Sequence, residues 1–479
     1  MTRQAEARRM TRAAVTLSVG EVLGKLATLL MLGLLARALG VADFGAFSFG
    51  LGLGLLLASA TTLGLDQRLV QLTGGDPQSL SARLSSLLAV RLSLAAAVVV
   101  LSAAVLPLAV ADDVRWHVTL ALVAAACCDG VTEAFRSAAS ARHVQGGPAV
   151  VLVVQRFLAL GLVVAAVELG GGITGAALGY LAASVVGMVL MALVARVRAD
   201  VRPSPAAVTR GHVRDYVVAV RVTGLNDLVS MALFRIDVVI IAWLAGTVAV
   251  GYYTAAYRLL ETVLFISWSV ARVILPALAD TSLRAVERSR TVATALVVVT
   301  AVYLPYTALL LTRGEELVAL LFGEDFGSRA IILWLAPAPL FFGVAQVALI
   351  ALLALRPDPA VLLASTLALA TNVALDVALI PLYGPAAAAA ATTAAYAVQA
   401  VVVVIALRRR VAPVHVRRAL VVCTGAAVVA GATMLLPVHV VLAALVGGVV
   451  YVGLWWLASR RWDRPTHDLV RSVLTSGAS

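Results

Sequence analysis

The chain is poor in charge, cysteine and lysine. Only 13% of its 479 residues are Asp, Glu, Lys or Arg, about half the share of an ordinary soluble protein, so a soluble globular fold is excluded. Disorder is excluded too, because it needs low hydrophobicity; here 62% of residues are hydrophobic and the mean hydropathy is +1.01. The three cysteines, Cys127, Cys128 and Cys423, all sit in apolar stretches and two are adjacent. That pattern argues against a disulfide framework or thiol redox chemistry. No GxxxxGK[ST] loop is present: Gly24-Lys25 is followed by Leu26 within an apolar run, which excludes nucleotide hydrolysis by that route. The zinc signature HExxH is also missing.

What the chain does have is long apolar runs. Its hydrophobic residues would fill fourteen helices of the roughly 20 residues that a bilayer crossing needs. Runs bounded by charge, Gly or Pro predict spans at 14–37, 44–65, 84–108, 115–136, 149–169, 173–195, 217–244, 249–277, 291–312, 329–355, 359–382, 385–407, 417–436 and 438–458. The first run is too long for a signal-peptide core and is expected to be retained as a helix. The fold class that follows is an all-α polytopic membrane protein.

Loop charge tests this count independently. With a cytoplasmic N-terminus, the loops after even-numbered helices should be basic. Those loops and the two termini carry 26 of the 37 basic residues, including Arg68, Arg83, Arg142, Arg196, Arg214, Arg284, Arg356 and Arg408 to Arg410. The other side keeps Arg37, Arg115, Arg313 and Arg329 beside Asp43, Asp112, Asp113, Glu168, Glu315, Glu316, Glu324 and Asp325. Both termini are therefore expected inside. The +12 net charge records orientation, and a nucleic-acid partner is not indicated.

A basic linker with two prolines, about 196–214, falls after helix six and is expected to act as a hinge between two halves. An internal repeat supports the division. At an offset of 206, residues 39–48 (LGVADFGAFS) lie over 245–254 (AGTVAVGYYT), matching Gly40 with Gly246 and Gly45 with Gly251. Near an offset of 212, Gly172 lies over Gly384. Six helices per repeat keep the halves parallel, as in transporters whose bundles rock around a central site. The expected division is 1–209, an N-lobe of six helices with the linker; 210–407, a C-lobe of six; and 408–479, two further helices and a cytoplasmic tail.

Ionisable groups at membrane depth cost at least a few kcal/mol each, so they face a partner or a wet cavity. Glu21 and Lys25 are spaced i, i+4, and Lys25 is the single lysine. Asp129, Glu133 and Arg136 share one face of helix four, and Arg156 lies in helix five. Helix seven holds Arg221, Asp227, Arg235 and Asp237, and helix eleven holds Asn372 and Asp376. Arg91 and Arg272, near span ends, are expected to snorkel to the interface. Arg258 and Glu261, at i, i+3, lie about two turns into helix eight, favouring a cavity-facing arginine. A guanidinium offers a planar fork suited to phosphate, so Arg258, Lys25, Arg156, Arg221 and Arg235 are the candidate anion-binding residues. Glu261, Glu21, Asp129, Glu133, Asp227, Asp237, Asn372 and Asp376 are the candidate coupling or structural partners. The pairs Asp112-Asp113 and Glu324-Asp325 read as solvated loop residues, and no metal or catalytic site is expected.

Three stretches together resemble one family: LGKLATLLMLGLLARALGVADFGAFSFG at 23–50, FRIDVVIIAWLAGTVAVGYYTAAYRLLETVLFISWSVARVILPAL at 234–278, and NVALDVALIPLYGPAAAAAATTAAY at 372–396. They are similar to the polysaccharide (O-antigen-type) flippases of the multidrug/oligosaccharidyl-lipid/polysaccharide (MOP) superfamily, over about residues 10–460. The resemblance implies a V-shaped bundle of two six-helix lobes with two added C-terminal helices. It implies export of an undecaprenyl-diphosphate-linked oligosaccharide from the inner to the outer leaflet of a bacterial cytoplasmic membrane. Pathway partners would be a glycan polymerase and glycosyltransferases. No cofactor is implied beyond possible H+ or Na+ coupling. Arg258 and Glu261 match the Arg-x-x-Glu of helix eight in the related lipid II flippases. The helix-one arginines of those flippases are replaced here by Glu21, Lys25 and small apolar residues, which favours another glycolipid. Alternatives are a lipid II flippase, a drug/cation antiporter of the same superfamily, and a membrane glycan polymerase or ligase. An antiporter needs a mainly acidic site and a polymerase a large external loop; the chain has neither.

Overall fold

In hydrocarbon every backbone N–H and C=O must be satisfied within its own segment, which makes long apolar runs helical. A computed structural model describes residues 3–73, 79–109, 115–219, 224–279, 284–355, 358–411 and 416–462. Among them the regular structure is helical and no strand occurs. The helices are α1 (Arg3–Thr62), α2 (Leu65–Thr73), α3 (Leu80–Ala109), α4 (Trp116–Ala141), α5 (Gly146–Ala166), α6 (Gly172–Arg198), α7 (Arg210–Ala219) and α8 (Leu225–Ala279). They continue with α9 (Ala285–Phe322), α10 (Arg329–Leu335), α11 (Ala338–Leu355), α12 (Pro359–Tyr383), α13 (Pro385–Arg408), α14 (Arg417–Met434) and α15 (Val440–Trp462). Eleven helical segments among the described residues are long and apolar enough to cross a membrane.

Three of these segments far exceed one crossing: Val22–Thr73, Gly146–Arg198 and Leu225–Ala279, of 52, 53 and 55 residues. Each is broken near its middle by glycine in the left-handed region, where a side chain is strained. Gly40 breaks α1 at φ 76°, ψ 177°, and Gly246 breaks α8 at φ 78°, ψ 176°. Gly172, which opens α6, has φ 54°, ψ −149°, and Gly384, between α12 and α13, has φ 63°, ψ −152°. Both glycine pairs are those that the internal repeat superposes. Residues 313–328, which the predicted spans 291–312 and 329–355 leave between them, are helical to Phe322, with a 3-10 turn at Glu324–Phe326.

By its contacts the chain forms two compact units: Met1–Thr254 with Leu321–Gly323, and Ala255–Leu320 with Glu324–Ser479. At one end of the first unit, Leu84, Leu87, Val131, Phe135, Met191, Ala195 and Tyr216 form a buried core joining α3, α4, α6 and α7. The basic linker is docked there. The backbone N–H groups of Arg202, Ser204 and Thr209 donate to the hydroxyls of Ser81, Ser85 and Ser86, at 3.1, 2.9 and 3.3 Å. Tyr216 donates to the Arg83 carbonyl at 3.2 Å, and burial raises its phenol pKa. The described linker is thus strapped to the start of α3; residues 220–223, with Arg221, lie outside the described residues.

In the second unit α11, α12 and α13 bury Ala348, Ala351, Ala364, Ala400 and Val403 with Val299 and Tyr303 of α9. Helices α14 and α15 close over α9 through Met434, Tyr451, Leu304, Leu309 and Trp455. Arg313 fastens this corner: its Nε donates to the Met434 carbonyl at 2.7 Å, while its other nitrogens meet Glu316 and the Leu436 carbonyl.

Candidate functional site

In the first unit, candidate residues of α4 and α5 find polar partners on α4, α5 and α6. Gln155, only 3% exposed, donates to Asp129 at 2.6 Å. Its amide lies against Gly187 of α6, where a Cβ would be about 2.5 Å from the Gln155 side chain. Arg156 points the other way and donates to the Tyr180 hydroxyl at 3.3 Å. The ring of Tyr180 meets Phe47 edge-on with centroids 6.3 Å apart. The Arg156 stem lies against Gly24, the residue before Lys25, so these two cations come from neighbouring helices. Glu133 binds Arg136 in its own helix, with Nε to Oε2 at 2.7 Å, and so leaves Asp129 to Gln155. The Glu21 side chain lies outside the described residues, as does that of Arg272.

Helix α8 contributes Arg235, half-buried, and Asp237, 2% exposed. Asp237 accepts from the Tyr253 hydroxyl at 2.5 Å. Asp227, near the start of α8, is half-buried. Arg91 corrects the snorkelling expectation. It is fully buried and binds Asp66 through both Nη atoms, at 2.9 and 3.0 Å, and the Gly130 carbonyl at 2.7 Å. Position near a span end misled the sequence argument, because the acid at the head of α2 comes from 25 residues away.

The second unit holds the expected pair within α8. Arg258 Nη1 donates to Glu261 Oε2 at 2.5 Å, and the side chains are 12% and 22% exposed. The buried Nε of Arg258 makes no hydrogen bond among the described residues. Beside the pair, Tyr306 of α9 donates to the Leu259 carbonyl at 2.7 Å. In α12, Asn372 and Asp376 sit one turn apart and are fully buried. Neither the amide nitrogen nor the amide oxygen of Asn372 has a hydrogen-bond partner among the described residues. Two groups escaped the sequence argument. Gln155 carried a signal, as an uncharged polar residue within an apolar run; Tyr180 carried none, because a tyrosine in a span is unremarkable until its hydroxyl partner is known.

Two families match the chain: the polysaccharide biosynthesis protein family over residues 10–282, and the lipid II flippase MurJ family over 152–461. No curated protein matches it. A solved structure of the lipid II flippase MurJ, in an inward closed conformation, is similar with a TM-score of 0.78 at 13% identity, covering 93% of this chain and 99% of that one. An inward-facing multidrug resistance MATE family transporter of the MOP superfamily gives 0.67 at 16%, covering 83% and 98%. A MOP superfamily transporter from Pyrococcus furiosus, described by a reversed polarity of its binding pocket, gives 0.60 at 16%, covering 83% and 95%. At these identities the likeness to the solved structures is one of fold.

Proposed function

Because the chain belongs to the polysaccharide biosynthesis protein family, within the MOP superfamily, we propose that it is a flippase for an undecaprenyl-diphosphate-linked oligosaccharide. It moves this glycolipid from the inner to the outer leaflet of a bacterial cytoplasmic membrane by alternating access through a cationic central cavity. Pathway glycosyltransferases and a polymerase would be its partners, and both termini would be cytoplasmic. Taking each of the three doubled segments as two crossings brings the eleven to fourteen.

One observation carries the cargo class. Arg258 is held by Glu261 through a single nitrogen, and among the described residues its buried Nε has no partner. An arginine oriented in this way is ready to give its remaining donors to a diphosphate, which a point-charge cation would bind with less geometric demand. Lys25 and Arg156, from adjacent helices of the first unit, would supply further positive charge. Arg221 and Arg235 are proposed to join them. Asn372 and Asp376 are proposed to bind the coupling ion, Na+ or H+, since a buried amide with no partner is costly until something occupies it.

A second reading, with lipid II as cargo, is supported by the family match over 152–461 and by the Arg-x-x-Glu of α8. Both cargoes share the diphosphate, and the two readings differ in the sugar. Reconstituted protein given each fluorescent lipid-linked glycan separates them: a cargo that becomes accessible to an external probe is a substrate. Formation of a glycosidic bond, or transport confined to hydrophobic cations, would overturn both readings. Arg258→Ala is expected to abolish flipping while the protein still folds, and Arg258→Lys to restore it only in part.

A further inference from the structure

We infer that the first unit binds one zwitterionic ethanolamine phospholipid, in a cavity between α1 and the end of α5. The cavity, of about 260 Å³, is lined by Leu34, Arg37 and Ala38 of α1, and by Val164, Val167 and Glu168 on the other side. It therefore presents one cation and one anion above an apolar floor. Its volume is somewhat below the roughly 300 Å³ at which small-molecule pockets begin, which suits a head group whose tails lie elsewhere.

The tails have a path. Leu26, Leu30 and Leu34 follow one another at intervals of four along α1, on the face that ends at Arg37 and Ala38, and are 53%, 52% and 40% exposed. On α5, Phe157, Gly161, Val164 and Glu168 share a face by their spacing of four, three and four. Phe157 is 48% exposed, and a Cβ on Gly161 would meet nothing within 4 Å. Both rows lead into the same cavity.

The chain is locally distorted at this point. Residues Val167–Gly171 make the kinked link from α5 to α6, with Gly170 at φ 84°, and Glu168 is carried on that link. Arg37 is braced by its Nε, which donates to the Leu321 carbonyl at 3.4 Å. Charge selects the lipid. A phosphodiester fits the Arg37 guanidinium, and a primary ammonium can donate to the Glu168 carboxylate. A glycerol head group offers Glu168 only neutral hydroxyls in place of an ammonium, which makes a weaker hydrogen bond, and a choline head group has no N–H to donate. By the loop-charge orientation, both residues lie in the leaflet opposite the N-terminus.

The test uses the full chain in nanodiscs with phosphatidylglycerol held constant and either phosphatidylethanolamine or phosphatidylcholine added. Retained lipid is counted by mass spectrometry after detergent exchange, and thermal unfolding is followed in each lipid. The wild type is expected to retain the ethanolamine lipid and to melt higher in it than in the choline lipid. Glu168→Gln and Arg37→Gln should each lower that retention about tenfold, the factor for one lost charge-assisted contact. Leu34→Trp, which fills the cavity and leaves both charges in place, should lower it as well while the protein stays folded. Equal retention of the two lipids, preferential retention of phosphatidylglycerol, or undiminished ethanolamine lipid in Glu168→Gln or Leu34→Trp would overturn the inference.

Discussion

Asp66 and Arg91 show what a single buried charge demands. The guanidinium has no exposed surface and uses two nitrogens on one carboxylate, with Nη1 also reaching a helix carbonyl. Removing one partner of a buried pair strands the other charge, which costs about 3–5 kcal/mol, more than the intact pair contributes over an apolar substitute. Asp66→Ala is accordingly expected to destabilise the protein by that amount, read as a lower unfolding temperature in detergent. An unchanged unfolding temperature would mean that Arg91 finds another anion. Gln155 is expected to behave differently. It holds Asp129 by one hydrogen bond and packs on Gly187, so Gly187→Ala should displace it and weaken transport through Arg156, its neighbour in sequence. Flipping measured at equal amounts of folded protein checks this.

At the level of elements, the glycines of the repeat determine how helices meet. A Cβ on Gly45 would overlap the Thr247 carbonyl oxygen, and a Cβ on Gly251 would overlap the Val41 carbonyl oxygen. Each contact maps onto the other through the offset of 206, so the beginning of each repeat's second helix crosses its counterpart backbone to backbone. Gly45→Ala and Gly251→Ala are each expected to force this crossing apart. Because both break one contact, the double variant should lose less stability than the two single losses combined; full additivity in thermal unfolding would count against a shared contact. The linker makes a separate prediction. Ser85→Ala removes the acceptor for the Ser204 N–H, so hydrogen exchange at Ser204 should accelerate, with exchange in the middle of α3 unchanged.

For the whole molecule, the activity to measure is the proposed transport. If Asn372 and Asp376 bind the coupling ion, Asp376→Asn should remove the dependence of flipping on a Na+ or H+ gradient while cargo binding persists. Retained gradient dependence in a vesicle assay would assign coupling elsewhere, with the membrane potential as the remaining source; it is worth about 2.3 kcal/mol per charge at 100 mV.

Composition alone decided that this chain is a helical membrane protein, because its apolar content leaves almost nothing for a soluble core. Periodic spacing located Arg258 with Glu261, and the repeat located Gly40 with Gly246, because both depend on residues near in sequence or at a constant offset. Tertiary structure decided the rest. Arg91 looked like an interfacial arginine until α2 folded back to bring Asp66 against it. The linker looked loose until three serines of α3 accepted its backbone donors. Gln155 and Tyr180 gained their partners only when α4, α5 and α6 packed together. A hydrogen-bond partner supplied by another helix leaves no mark on local composition, so packing alone reveals which buried charges are paired and which remain for a ligand.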